Sequence, residues 1–117
     1  MRVIRSFSYA WQGIVACLKR ERNYKIQVCF FLLVLCMGLY LNLPGSEWIT
    51  IFFCSALTLS LEMMNSAIEK LADHVSPSLH PAIKQVKDIA AGAVLISAII
   101  NSVIASIIFI PHIIHNS

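Results

Sequence analysis

Glu62, Asn65, Glu69 and Asp73 stand at i, i+3, i+7 and i+11 in a segment rich in Met, Ala, Ile and Leu. On a helix at 100° per residue they fall within a stripe of roughly 80°. A carboxylate near a bilayer costs several kcal/mol unless it is paired, solvated or protonated. An acidic edge on a greasy helix therefore suits a bound cation or a polar substrate. The alternative is a helix emerging into water with Glu69 and Asp73 plainly exposed. Glu62 resists that reading, because it follows Trp48–Leu61, fourteen residues without a charge.

Further charged side chains fall at the same end of the hydrophobic segments: Glu21 before the first, and Lys84, Lys87 and Asp88 before the third. Carboxylates and lysines meeting at a lipid boundary suit the handling of a metal-bound phosphate. Mg²⁺ takes one or two carboxylates together with phosphate oxygens, and lysines neutralise charge on a transferring phosphoryl group. A carboxylate inside the headgroup layer can accept a proton from a lipid hydroxyl. The chain has no G-x-x-x-x-G-K-[ST] and no protein-kinase motif set. Lys84 and Lys87 also fit simple anchoring of a helix at the membrane surface.

The elements that must position these groups are apolar. Ile26–Leu43 and Ile89–Ile110 are 18 and 22 residues without a charge. A span needs about 17–25 residues, so both qualify. Trp48–Leu61 qualifies when extended through Ile68, which carries Glu62 into the headgroup zone. The reading is a single all-α membrane domain over 1–117: a surface helix at 1–24 and spans near 26–43, 48–68 and 89–110. All nine Lys and Arg lie in 1–25 or 70–87. The positive-inside rule then puts the N-terminus and the second connection in the cytosol, as in a multi-pass protein of the bacterial inner membrane. The Asn42–Glu47 turn and the C-terminus face out. No nucleic-acid partner is expected.

Val3, Phe7, Trp11, Ile14 and Leu18 recur at helical spacing among basic residues, which predicts an amphipathic helix lying in the cytosolic interface or packed on other protein. Pro44-Gly45 predicts a tight type II turn, making the first two spans antiparallel neighbours. Pro81 suits the first turn of the third span's helix. Cys17, Cys29, Cys36 and Cys54 show no metal-ligand spacing and read as small apolar residues. Ser97, Asn101, Ser102 and Ser106 favour helix packing, with a polar groove as the alternative. Pro111–Ser117 reads as a polar tail with no chemistry.

Glu62-x-x-Asn65-Ser66-Ala67-Ile68-Glu69-x-x-x-Asp73, followed by Lys87-Asp88-x-Ala90-Ala91-Gly92-Ala93-Val94, resembles the signature of the prokaryotic diacylglycerol kinase family. Tyr9-x-Trp11-x-Gly13, Glu21-Arg22-Asn23 and Glu47-Trp48 extend the resemblance over nearly the whole chain. It implies a three-span lipid kinase with a surface helix, assembled as a homotrimer with active sites shared between subunits. Glu62 would be the general base on the lipid alcohol, with Arg2 also near that substrate, and Asn65 would help place the site. Glu21 and Glu69 would hold Mg²⁺ on ATP. Arg2, Tyr9, Ser78, Leu79, His80, Lys87 and Asp88 would surround the nucleotide, with Asp73 and Lys84 supporting. The Glu21-Arg22-Asn23 stretch and the Lys84-x-x-Lys87-Asp88 spacing look like the branch common in Gram-positive bacteria. That leaves the lipid open between diacylglycerol and undecaprenol, with a slight preference for undecaprenol.

A reading from another class stands beside this one: a small transporter or non-enzymatic membrane protein using Glu62 to bind cations or protons. Such a path needs polar groups further across the bilayer. The clustering of Glu69, Asp73, Lys87 and Asp88 favours the kinase.

Overall fold

The computed structural model describes residues 2–76 and 80–116. Among them the chain is all helix: α1 (Arg2–Arg20), α2 (Arg22–Leu41), α3 (Gly45–Val75) and α4 (Pro81–Asn116). The helices α2, α3 and α4 are each long and apolar enough to cross a membrane.

The helices outrun the charge-free stretches that mark them. The 31 residues of α3 and 36 of α4 extend about 46 and 54 Å at 1.5 Å per residue, against a hydrocarbon core of about 30 Å. A helix has no reason to stop where the lipid does if its next turns find water or protein. Pro111 accordingly sits inside α4, and the predicted polar tail is helical to Asn116. The surface helix is shorter than expected at its end. It stops at Arg20, and the single non-helical residue Glu21 (φ −98°, ψ 112°) separates it from α2. The backbone ladder nearly survives this joint, with Glu21 N–H donating to the Cys17 carbonyl and Lys25 N–H to that of Glu21.

The connection between α2 and α3 is not the expected type II turn, which needs positive φ at Gly45. Among the described residues only Asn42 has positive φ, at 53°. It closes α2 in the left-handed conformation, and Leu43 N–H donates back to the Gly38 carbonyl at 3.3 Å. That is the Schellman arrangement, with Asn in the position Gly usually holds. Gly45 is instead the first residue of α3. Gly38 is needed for a different reason: a Cβ there would lie 2.7 Å from the Trp48 ring.

The helices α3 and α4 form the main antiparallel pair, and three polar rungs set their register. Glu47 meets His112 at 2.8 Å. Asn101 donates to the Thr58 hydroxyl and, at 3.2 Å, to the Cys54 carbonyl. Lys87 donates to Asp73. Passing from the first rung to the second takes 11 residues on each helix, and from the second to the third 15 on α3 and 14 on α4. The register therefore hardly drifts along the pair. It sets Ser97, Val94 and Ala90, all buried, opposite Glu62, Asn65 and Glu69. Small side chains on α4 let the two backbones approach. Ser97, Ser102 and Ser106 bond to carbonyls of their own helix, so among these four predicted packing groups Asn101 is the one whose bond crosses.

The apolar cluster of Leu41, Leu43, Ile51, Ile108 and Phe109 packs at the end near the α2–α3 turn. Trp48 and Phe52 stack beside it with ring centroids 5.8 Å apart. This is the turn end. The opposite, acidic end carries the candidate site.

A candidate acidic site at the end of the bundle

The buried polar residues of α3 gather toward the acidic end: Thr58, Glu62, Asn65 and Ser66, each under a tenth exposed. Glu62 is 5% exposed and has no hydrogen bond or ion pair among the described residues. The Asn65 Oδ1 is also buried without a partner. A buried polar atom left unsatisfied costs about 1–3 kcal/mol, more if charged. The Asn65 oxygen is such an atom, and with the buried Glu62 one turn away it forms a place suited to something polar that the chain does not supply.

Glu69 and Glu21 are the charged neighbours of Glu62. Glu69 is brought there by the α3 repeat. Glu21 arrives from the other direction, because the joint between α1 and α2 packs against α3. Its carboxylate also lies 3.7 Å from the Lys70 ammonium. Lys70 escaped the reading by helical face. It follows Glu69 directly and so points about 100° away from the acidic stripe; only the position of Glu21 gives it a partner.

Four further charges at this end form two pairs, while Lys19, Arg20, Arg22 and Lys25 flank Glu21 along the chain. Lys87 bonds Asp73 across α3 and α4, and Lys84 bonds Asp88 within α4 at 2.7 Å. These turns precede the charge-free run of α4. Asp88, by its hydrogen bond and then by its charge, holds the Lys84 ammonium above its usual pKa. His80 accepts the Ala82 N–H on Nδ1 at 3.1 Å and so caps the start of α4.

Not every predicted site residue joins this group within one chain. Arg2 and Tyr9 lie along α1, about 28 and 18 Å from Glu21 at helical rise, and both are exposed. Ser78 and Leu79 lie outside the described residues. The group that does assemble is Glu21, Glu62, Asn65, Glu69 and Lys70, with Asp73, Lys87, Lys84 and Asp88 in salt bridges on α3 and α4.

This arrangement has relatives. A model of the prokaryotic diacylglycerol kinase family matches residues 8–109. The chain belongs to that family. It is 37% identical over 110 residues to an undecaprenol kinase of Bacillus subtilis (strain 168), covering 94% of this chain and 89% of that one. A diacylglycerol kinase of Synechocystis is 33% identical over 107 residues, 91% of this chain but 61% of the relative. A diacylglycerol kinase of Escherichia coli (strain K12) is 26% identical over 99 residues, 85% of this chain and 81% of the relative. The family decides between the two classes in favour of the kinase. The polar groups deeper in the bundle agree with that choice, since Asn101 and Thr58 are spent on each other and on helix packing.

Proposed function

We propose that this chain transfers the γ-phosphate of Mg-ATP directly to the hydroxyl of a membrane lipid alcohol, diacylglycerol or undecaprenol. That it is a lipid kinase follows from its family; the donor, the metal and the residue roles are proposed. The observation that carries it is Glu62, a carboxyl buried without a partner one turn from the orphaned Asn65 oxygen. A substrate hydroxyl would donate its proton to the Glu62 carboxylate.

In this reading the lipid oxygen attacks the γ-phosphorus as the bond to the bridging oxygen of ADP breaks. Glu62 takes the hydroxyl proton. The Asn65 side chain orients that hydroxyl, and the small residues of α4 opposite leave it room. Glu21 and Glu69 supply hard oxygen donors. Among the described residues no three His, Cys, Asp or Glu side chains form a metal cage. None is needed, because Mg²⁺ is held by one or two carboxylates plus substrate phosphates. The donor set therefore fits Mg²⁺. When bound, the ion neutralises charge on the phosphate oxygens. Lys87, Asp88 and His80 would line the nucleotide side, with Asp73 and Lys84 holding the lysine–carboxylate pairs in place. Arg2 and Tyr9, remote from Glu21 in the same chain, would serve the site of a neighbouring copy, which supports a homotrimer with shared active sites. The acidic end would face the cytosol of the bacterial inner membrane, where ATP is available.

The similarity to the Bacillus subtilis undecaprenol kinase favours a polyprenol over diacylglycerol. The test is to incubate the purified protein in detergent with labelled ATP, Mg²⁺ and a panel of lipid alcohols. Label appearing in undecaprenyl phosphate or phosphatidic acid, and only with Mg²⁺, is expected. No transfer to any lipid alcohol overturns the reading.

A further inference from the structure

The acidic end holds an imbalance that the proposed catalysis does not explain. Glu21 and Glu69 each lie near enough to the buried Glu62 to act on its charge. Lys84 and Lys87 are committed to Asp88 and Asp73. Among the described residues, the cation in an ion pair with this acidic group is Lys70, at 3.7 Å from Glu21, although Arg20 and Arg22 flank Glu21 along the chain. The Lys70 side chain is 57% exposed while that of Glu21 is 26% exposed. The lysine thus reaches in from solvent toward a better-buried carboxylate, and it can leave without crossing protein. Lysine suits such a role: it is a compact point charge on a flexible stem, with no planar fork to fix it in one geometry.

We propose that Lys70 is a resident counter-ion of this acidic group, holding the place of the divalent cation until that cation arrives. In the cation-free protein its ammonium neutralises Glu21 and limits repulsion among the three carboxylates. A divalent ion bound by Glu21 takes over that charge, and Lys70 is released to solvent or to anionic phosphate oxygens. Metal and lysine compete for one carboxylate. The inference rests on the reading of Glu21 as a metal ligand but needs neither lipid nor nucleotide to be tested.

The experiment titrates Mn²⁺ into the full-length protein in detergent, without ATP or lipid, and follows free Mn²⁺ by electron paramagnetic resonance. Lys70→Gln is expected to bind Mn²⁺ roughly two- to fivefold more tightly than the unaltered chain, the range an exposed ion pair spans. Lys70→Arg, which keeps the charge, should stay near the unaltered value. In a Glu21→Gln background, Lys70→Gln should change nothing, because the contested carboxylate is gone. Unchanged or weaker binding by Lys70→Gln overturns the proposal. So does a tightening that persists without Glu21, since that would be a general field effect. Circular dichroism on each variant confirms that the helices persist, and Lys70→Met repeats the neutralisation with a different side chain. Failure of lipid phosphorylation by the unaltered protein would sink the kinase mechanism while leaving these titrations standing.

Discussion

The two ends of α3 each carry a glutamate that the surrounding helices half or wholly cover, and they treat it differently. At the turn end, Glu47 has His112 at 2.8 Å, and the pair sits beside an apolar cluster and a stacked Trp48–Phe52. At the acidic end, Glu62 is more deeply buried, has no hydrogen bond among the described residues, and has two further carboxylates nearby. The first arrangement closes a fold: the side chain answers a need of the chain itself. The second is left open at a cost that folding alone does not repay. One helix thus carries a partnered glutamate at one end and an unpartnered one at the other. Changes at the two should be distinguishable by whether they move melting temperature or turnover.

Replacing Glu62 by Gln gives the sharpest break. Removal of a general base typically loses 10²–10⁴-fold in rate, so lipid phosphorylation should fall by at least about 100-fold in a radiolabel assay. Nucleotide binding and thermal stability should be retained, because no partner loses a bond. If E62Q instead unfolds, the acidic end is structural and the contrast fails. At the turn end, Gly38→Leu should do the opposite. Its side chain must displace the Trp48 ring, and overpacking costs about 1–3 kcal/mol. Unfolding in a graded denaturant should shift accordingly, with activity per folded molecule unchanged.

The rungs between the two ends grade the comparison further. Asn101→Leu removes the bond to Thr58 and Cys54, and such bonds in membranes average about 0.6 kcal/mol and reach about 1.7. Glu47→Gln at the half-exposed outer rung should cost less, below about 1 kcal/mol. A loss from Glu47→Gln larger than that from Asn101→Leu would mean that the turn end, not the middle rung, keeps α3 and α4 in register.

The sequence made the three spans legible because lipid imposes a single requirement, an uncharged run of sufficient length. Where helices end was less legible. Turns beyond the lipid depend on neighbours, so α3 and α4 outran their apolar runs and the expected C-terminal tail became helix. The Pro44-Gly45 pair suggested a turn that Asn42 makes instead, because a left-handed helix cap can be built by Asn when the following backbone satisfies the Gly38 carbonyl. The acidic stripe was visible from spacing, since one helix carries it. The contacts that cross the fold were not. Glu47 with His112, Asn101 with Thr58 and Glu21 with Lys70 join residues 43 to 65 positions apart or 49 apart, and no local pattern announces them. Ser78 and Leu79, predicted at the nucleotide, lie beyond the described residues.

The joint at Glu21 is one residue long. A linker of several glycines would let the surface helix rock without consequence elsewhere. Here two dihedral angles must absorb any change in how α1 lies relative to α2, and they belong to the residue whose carboxylate meets Lys70. Any tilt of α1 against α2 is thereby geared to the aim of that carboxylate.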